Sequence, residues 1–180
     1  MRRCLLLALA LACGAAMAQD AALPNQPVPA LDLQRYAGEW HEIAHLPMFF
    51  QRKCVANITA TYTPRGDGSI GVRNACDTKG GDAMVSEGTA RTVAGQPGRL
   101  EVRFAPDWLA WAPMVWADYW VVELDPDYRW AVVGGPDRKY LWILSRTPTM
   151  PRDQLDAIRA RAAARGYPVE KLEYPRGSVD

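Results

Sequence analysis

Tyr36-Ala-Gly38-Glu39-Trp40-His-Glu-Ile-Ala44 and, about a hundred residues later, Val133-Gly-Gly-Pro-Asp-Arg-Lys-Tyr140-Leu-Trp142-Ile-Leu-Ser-Arg146-Thr-Pro148 are the stretches that decide how this chain folds. Glycine at 38 lets the backbone turn tightly after the Leu31–Tyr36 run, so that Trp40 can plug the closed end of a β-barrel. An arginine ending the last strand can lay its guanidinium on that indole, a cation–π contact of about 0.5–2 kcal/mol. Gly-x-Trp alone recurs by chance in many chains; the weight lies in the two segments together.

Outward from these segments, short runs with period-two alternation, bounded by Gly, Pro and Asp turns, continue without a helical pattern until residue 151. Strands are predicted over 38–46, 56–63, 68–75, 84–93, 98–105, 117–124, 129–134 and 139–145. Arg65-Gly-Asp-Gly68, Gly95-Gln-Pro-Gly98, Asp125-Pro-Asp127 and Gly134-Gly-Pro-Asp137 supply the turns. The expected fold is all-β, an eight-stranded antiparallel up-and-down barrel. Thr149 and Pro151 open a helix over 151–166, with Leu155, Ile158 and Ala162 on one stripe and Gly166 and Pro168 ending it. Arg159, Arg161 and Arg165 read as its solvated face.

The first residues read as a targeting segment. Met1-Arg-Arg3, the apolar run Leu5–Ala12 and the small residues Ala15–Ala18 form a secretory signal (1–18) with cleavage before Gln19. The apolar run is far shorter than the roughly 20 residues a membrane-spanning helix needs. A second processing reading stays open, because Leu9-Ala-Leu-Ala-Cys13 is a degenerate lipoprotein box whose Cys13 would be acylated; Ala10 where such boxes favour leucine makes cleavage after Ala18 the preferred reading. Residues 19–30, with Pro24, Pro27 and Pro29, read as a flexible or extended lead-in, residues 31–175 as the barrel domain and 176–180 as a tail. Loss of Arg2 and Arg3 leaves 19 basic against 20 acidic residues, a net charge of about −1. Near-neutrality argues against a nucleic-acid partner. Of four cysteines only Cys54 and Cys76 remain in the exported chain, where a disulfide is the default reading. A metal pair or a reactive thiol lacks supporting ligands nearby.

With those motifs, and with Ala60-Thr-Tyr62, Asp67–Asn74, Ser86-Glu-Gly88 and Asp118–Tyr128, the chain resembles the lipocalins from about Leu31 to Tyr174. Within them it is similar to the bacterial outer-membrane group, Blc-type and apolipoprotein D-like. The resemblance implies that the helix packs outside the barrel and that the interior holds one small ligand. With Trp40 inward, strand-by-strand matching turns inward Glu42, Ala44, Ile58, Ala60, Tyr62, Ile70, Val72, Asn74, Gly88, Ala90, Leu100, Val102, Phe104, Tyr119, Val121, Ala131, Val133, Tyr140, Trp142 and Leu144. From this set Ala44, Ala60, Tyr62, Val72, Asn74, Phe104, Tyr119, Val121, Val133, Tyr140 and Trp142 are the expected ligand contacts; Trp40 and Arg146 are assigned to structure. Each could equally be plain core, but small residues at 44, 60, 88, 90 and 131 would leave space opposite the aromatics. The lining suits an acyl chain with its polar head near the mouth.

Phe104–Trp116 places three tryptophans in a connection between strands five and six, and reads as a lid, a dimer contact, a membrane anchor or an inward-folded cap. His41 and His45 fall about 13 Å apart on one strand face, too far to share a metal, and the parity that turns Trp40 inward turns both outward. No glycine-rich nucleotide loop, Gly-x-Ser-x-Gly or Cys-x-x-Cys occurs. Asn57-Ile-Thr59 matches a glycosylation acceptor but falls within a strand. The expected protein is therefore an exported, periplasmic, outer-membrane-associated carrier or store of fatty acids or lysophospholipids for envelope maintenance. It needs no cofactor or metal, and monomer, homodimer and membrane contact all stay open. Two alternatives remain: a lipid- or isoprenoid-modifying enzyme in the same barrel, and a protein-interaction module acting through Trp108–Trp116.

Overall fold

Asp32 caps a single helical turn, α1 (Leu33–Tyr36), its carboxylate accepting from the Gln34 and Arg35 amides. Gly38, at φ +93°, then swings the chain into the first strand, a conformation that costs glycine no Cβ clash. These features come from a computed structural model that describes residues 22–180; the signal segment and the Cys13 and Ala18 processing sites lie outside the described residues. Eight strands follow: β1 (Gly38–His45), β2 (Cys54–Pro64), β3 (Ile70–Thr78), β4 (Ala83–Val93), β5 (Gln96–Arg103), β6 (Ala117–Leu124), β7 (Trp130–Gly134) and β8 (Leu141–Ser145). They pair in sequence order and β1 closes on β8, so the sheet has no free edge. Because every pairing is antiparallel, the β1–β2, β3–β4, β5–β6 and β7–β8 connections gather at one end, the mouth, while α1 sits near the other turns at the closed end.

Two cores share this one sheet. Inside the barrel Trp40, Tyr36, Tyr62, Tyr119, Leu100, Val121 and Ala131 pack together at the closed end. Outside it Leu155, Ile158 and Ala162 of α2 (Arg152–Ala164) pack on Ile43, Val122, Val132, Leu141 and Ile143. Full burial of a leucine or isoleucine contributes about 1.5–3 kcal/mol, so the α2 stripe is a substantial hold on the wall. It also explains the near-continuous burial of β7 and β8, whose two faces are both covered, against the mostly partial burial along β2 and β4. Arg161 and Arg165 depart from the solvated face predicted for them, since both pair with Glu123 on β6.

The segments before and after the barrel are held down. The Leu23 amide donates to the Ala164 carbonyl, the Val28 amide donates to the Val121 carbonyl, and Tyr167 Oη donates to Asn25 Oδ1 at 2.9 Å. The described part of the lead-in is thus hydrogen-bonded to the barrel and to the segments around α2. The tail is docked likewise, with buried Ser178 donating to the Ile43 carbonyl at 2.9 Å.

One irregularity changes which residues face the site. Glu42 pairs with Leu144 and Ala44 with Ile143, so Ile43 is an extra residue and β1 bulges there. Beyond the bulge the inward/outward parity reverses. Ala44 joins the outer core beneath α2 rather than the cavity, and His45 comes level with Trp142 and reaches Glu42 instead of pointing to solvent.

Candidate ligand-binding site

The mouth half of the barrel encloses a cavity of about 440 Å³, within the usual 300–1,000 Å³ of small-molecule sites. Nine of the eleven expected contacts stand on its wall: Ala60, Tyr62, Val72, Asn74, Phe104, Tyr119, Val133, Tyr140 and Trp142. Ala44 does not, for the reason given above, and Val121 does not because it is packed against the floor. Ala90 and Ala131 also lie in that floor cluster, so their small side chains make room for the Trp40 and tyrosine rings and not for a ligand. Gly88 opens no space either. A Cβ there would stand 2.8 Å from Phe104 Cδ1, so the ring of Phe104 occupies the room that the glycine leaves.

The floor is built from aromatic rings tied by polar contacts. Trp40 Nε1 donates to the Tyr36 carbonyl at 2.8 Å. Tyr119 Oη lies 2.8 Å from Tyr36 Oη and 2.7 Å from Tyr62 Oη. Burial makes the phenolate form costly, so Tyr36 and Tyr119 stay protonated well above the ordinary tyrosine range and Tyr62 is pushed up to about 12. Below them Arg146 seals the closed end.

The wall carries a carboxylate with close partners. Glu42, buried beside the cavity, accepts from Gln51 Nε2 through both oxygens at 2.7 Å, and His45 Nδ1 lies 2.5 Å from its Oε1. The other imidazole nitrogen lies 3.2 Å from Glu173 Oε2 on the C-terminal segment. Burial opposes charge on His45, but contact with Glu42 and the pull of both carboxylates outweigh it and raise the pKa. Both ring nitrogens thus face carboxylates, and the imidazole itself does not line the cavity. Among the described residues no group of three or more His, Cys, Asp or Glu is placed to hold a metal.

Three further pairs of residues, outside the expected contacts, also line the cavity. Phe50 and Gln51 reach the cavity from the β1–β2 turn, and Met84 and Ser86 from β4. Cys54 and Cys76 are disulfide-bonded at the mouth, with Cα atoms 5.5 Å apart, and also line the cavity. The period-two pattern of β4 that turns Gly88 inward turns Ser86 and Met84 inward as well.

The β5–β6 connection does not cap the barrel. Trp108, Trp111 and Met114 are 73%, 80% and 87% exposed and none lines the cavity. Trp116 is held between the guanidinium groups of Arg91 and Arg103, 4.0 and 5.2 Å from the ring centre. With Phe49 and Phe50 of the β1–β2 turn, the exposed rings of this loop surround the mouth.

Residues 31–176 match the family model described as a lipocalin-like domain. The chain is 40% identical over 148 residues to temperature-induced lipocalin-1 of Arabidopsis thaliana, covering 81% of this chain and 78% of that protein. It is 38% identical over 152 residues to the outer membrane lipoprotein Blc of Vibrio cholerae, covering 83% and 84%. Among solved structures, insecticyanin of the tobacco hornworm Manduca sexta superimposes with a TM-score of 0.65 at 21% identity, covering 87% of this chain and 86% of that one, a likeness of fold alone.

Proposed function

The chain belongs to the lipocalin family, and from that premise we propose that it binds one fatty acid or lysophospholipid in the barrel cavity and carries or stores it during cell-envelope maintenance. The observation that carries this reading is the cavity itself. It is open at one end, closed at the other by Trp40 and Arg146, and walled by Ala60, Val72, Val102, Val133, Leu144 and aromatic rings. An apolar chain entering it leaves water along its whole length, which is worth about 0.8 kcal/mol per methylene.

The exposed Phe49, Phe50, Trp108, Trp111 and Met114 around the mouth support loading from a membrane surface, where tryptophan is favoured. Among the described residues no helix is long and apolar enough to cross a membrane. The Blc relative, by its name an outer membrane lipoprotein, supports an exported, periplasmic, outer-membrane-associated protein; cleavage after Ala18 is the proposed processing, with acylation of Cys13 the alternative. The absence of His45 from the cavity wall and the bonded Cys54 and Cys76 favour a carrier over an enzyme. The exposed tryptophans also fit a partner-binding module, and the test separates the two.

Ala60→Trp fills the cavity from β2. It is expected to weaken binding of a fluorescent fatty acid by about tenfold or more while the circular dichroism spectrum is unchanged. Unchanged affinity in the folded variant would remove the lipid from the barrel and make the Trp108–Trp116 loop the working surface.

A further inference from the structure

We propose that the Glu42 carboxylate, with Phe50, Tyr140 and Trp142 beside it, forms a subsite for the cationic head of a single-chain amphiphile, so that the preferred ligand carries an ammonium group. This rests on the lipid-binding reading and names its ligand class. The charged residues that line the cavity are Glu42 and Asp118, both acidic; no Lys, Arg or His side chain is on the wall. Asp118 has the Arg99 guanidinium to itself at 3.1 Å, whereas Glu42 shares the single charge of His45 with Glu173, so uncompensated negative charge remains on the Glu42 side of the wall. With His45 protonated, Glu42, His45 and Glu173 together carry one net negative charge, and with it neutral they carry two. An ionised fatty acid entering this wall meets a like charge across a medium less polar than water, whereas an ammonium meets its complement.

The rings stand where a cation would use them. Tyr140 stacks on Trp142 with centroids 6.0 Å apart, and Phe50 lies 6.0 Å from Tyr140. Gln51 joins these rings to the carboxylate, accepting from Trp142 Nε1 at 3.4 Å and donating to Glu42. Its amide nitrogen, 2.7 Å from both carboxylate oxygens, occupies the position that a ligand ammonium would take. Gln51 belongs to the β1–β2 turn, outside the barrel ladders, so its side chain can yield that place without breaking a strand pair. Aromatic faces beside a carboxylate attract quaternary and primary ammonium alike, by ring quadrupole and by charge.

The test uses myristoyl lysophosphatidylcholine and myristoyl lysophosphatidylglycerol below their micelle concentrations, which share chain and phosphodiester and differ in the choline ammonium against a neutral glycerol. Calorimetric titration of the wild-type protein at neutral pH is expected to give about tenfold or more tighter binding of the choline lipid. Glu42→Gln, and separately Trp142→Leu, should bring the two affinities within about twofold by weakening the choline lipid. Should Glu42→Gln not fold, Trp142→Leu decides. Equal affinities in the wild type, or a preference that survives in the folded variants, overturn the subsite and leave lipid binding standing. Absence of binding by either lipid and by a fluorescent fatty acid to the folded wild type overturns both.

Discussion

The Arg146 guanidinium carbon lies 3.8 Å from the centre of the Trp40 ring, and its nitrogens donate to the carbonyls of Arg35, Tyr36, Ala37, Glu39 and Tyr128. One side chain therefore covers the indole and ties α1, β1 and the β6–β7 turn to the end of β8. Burial lowers the Arg146 pKa, yet the group stays a cation at any physiological pH.

Trp40→Ala is expected to cost about 3–5 kcal/mol, the range for emptying a fully buried aromatic site. Arg146→Lys keeps the charge and loses the fork that serves several carbonyls, so it is expected to lose about 2–3 kcal/mol and to rescue little. Denaturant melts read both, and fluorescent-lipid titrations on the folded fraction should shift less than threefold. If stability holds while binding collapses, the pair serves the ligand instead of the barrel.

Tyr119→Phe leaves both the Tyr36 and Tyr62 hydroxyls without the partner seen at 2.8 and 2.7 Å, and is expected to cost about 1–3 kcal/mol. Because burial raises all three pKa values, with Tyr62 at about 12, the native protein should keep these phenols protonated past the ordinary tyrosine range. An ultraviolet titration should show these three, and buried Tyr167 with them, ionising only above the ordinary tyrosine range. Smooth ionisation of all seven near pH 10 would contradict the buried trio.

His45 gains two carboxylate partners on folding, so its folded pKa stands above the ordinary 6.5. The stability this adds is fully present below about pH 6.5 and is lost as pH rises through the folded value. Melting temperature is expected to fall across that window, and the fall should shrink in Glu173→Gln, which removes the 3.2 Å contact without touching the cavity. A flat profile in the wild type would mean that the imidazole is neutral throughout.

Cys54 and Cys76 are separated by 22 residues, and closing that loop is worth about 3 kcal/mol by the chain-entropy model. The double replacement by serine should lower stability by about that amount. Thiol titration of the denatured, unreduced mature protein should find neither cysteine reactive; two free thiols per chain would exclude the bond.

Much of the architecture is local chemistry and was legible from the chain. Gly38 before Trp40, the Gly and Pro turns between alternating runs, and the Leu155, Ile158, Ala162 stripe each act over a few residues, so strands, their order and the helix follow from pattern. Strand ends were less legible. Tyr140 reads as strand but precedes β8, and β3 runs on to Thr78 to reach the mouth. The candidate site was legible where counting by two holds, as at Ala60, Tyr62, Val72 and Asn74.

The Tyr36–Ala44 and Val133–Pro148 motifs thus determined the family and the Trp40–Arg146 closure, and the alternating runs and turns between them the eight-strand order, because backbone conformation and side-chain period are set by neighbours in sequence. Tertiary structure alone decided where the cavity stops and what charge it holds. The bulge at Ile43 depends on how β1 registers against β8, and it moved Ala44 out and His45 to Glu42. Whether a small residue such as Ala131 leaves a void depends on the rings that opposite strands bring to it, here Trp40 and its tyrosines. The partner of Glu42 from outside its strand comes from a turn at Gln51, and that of His45 from the C-terminal segment at Glu173, so the environment of the pair is a property of chain closure and cannot be read from their own strand.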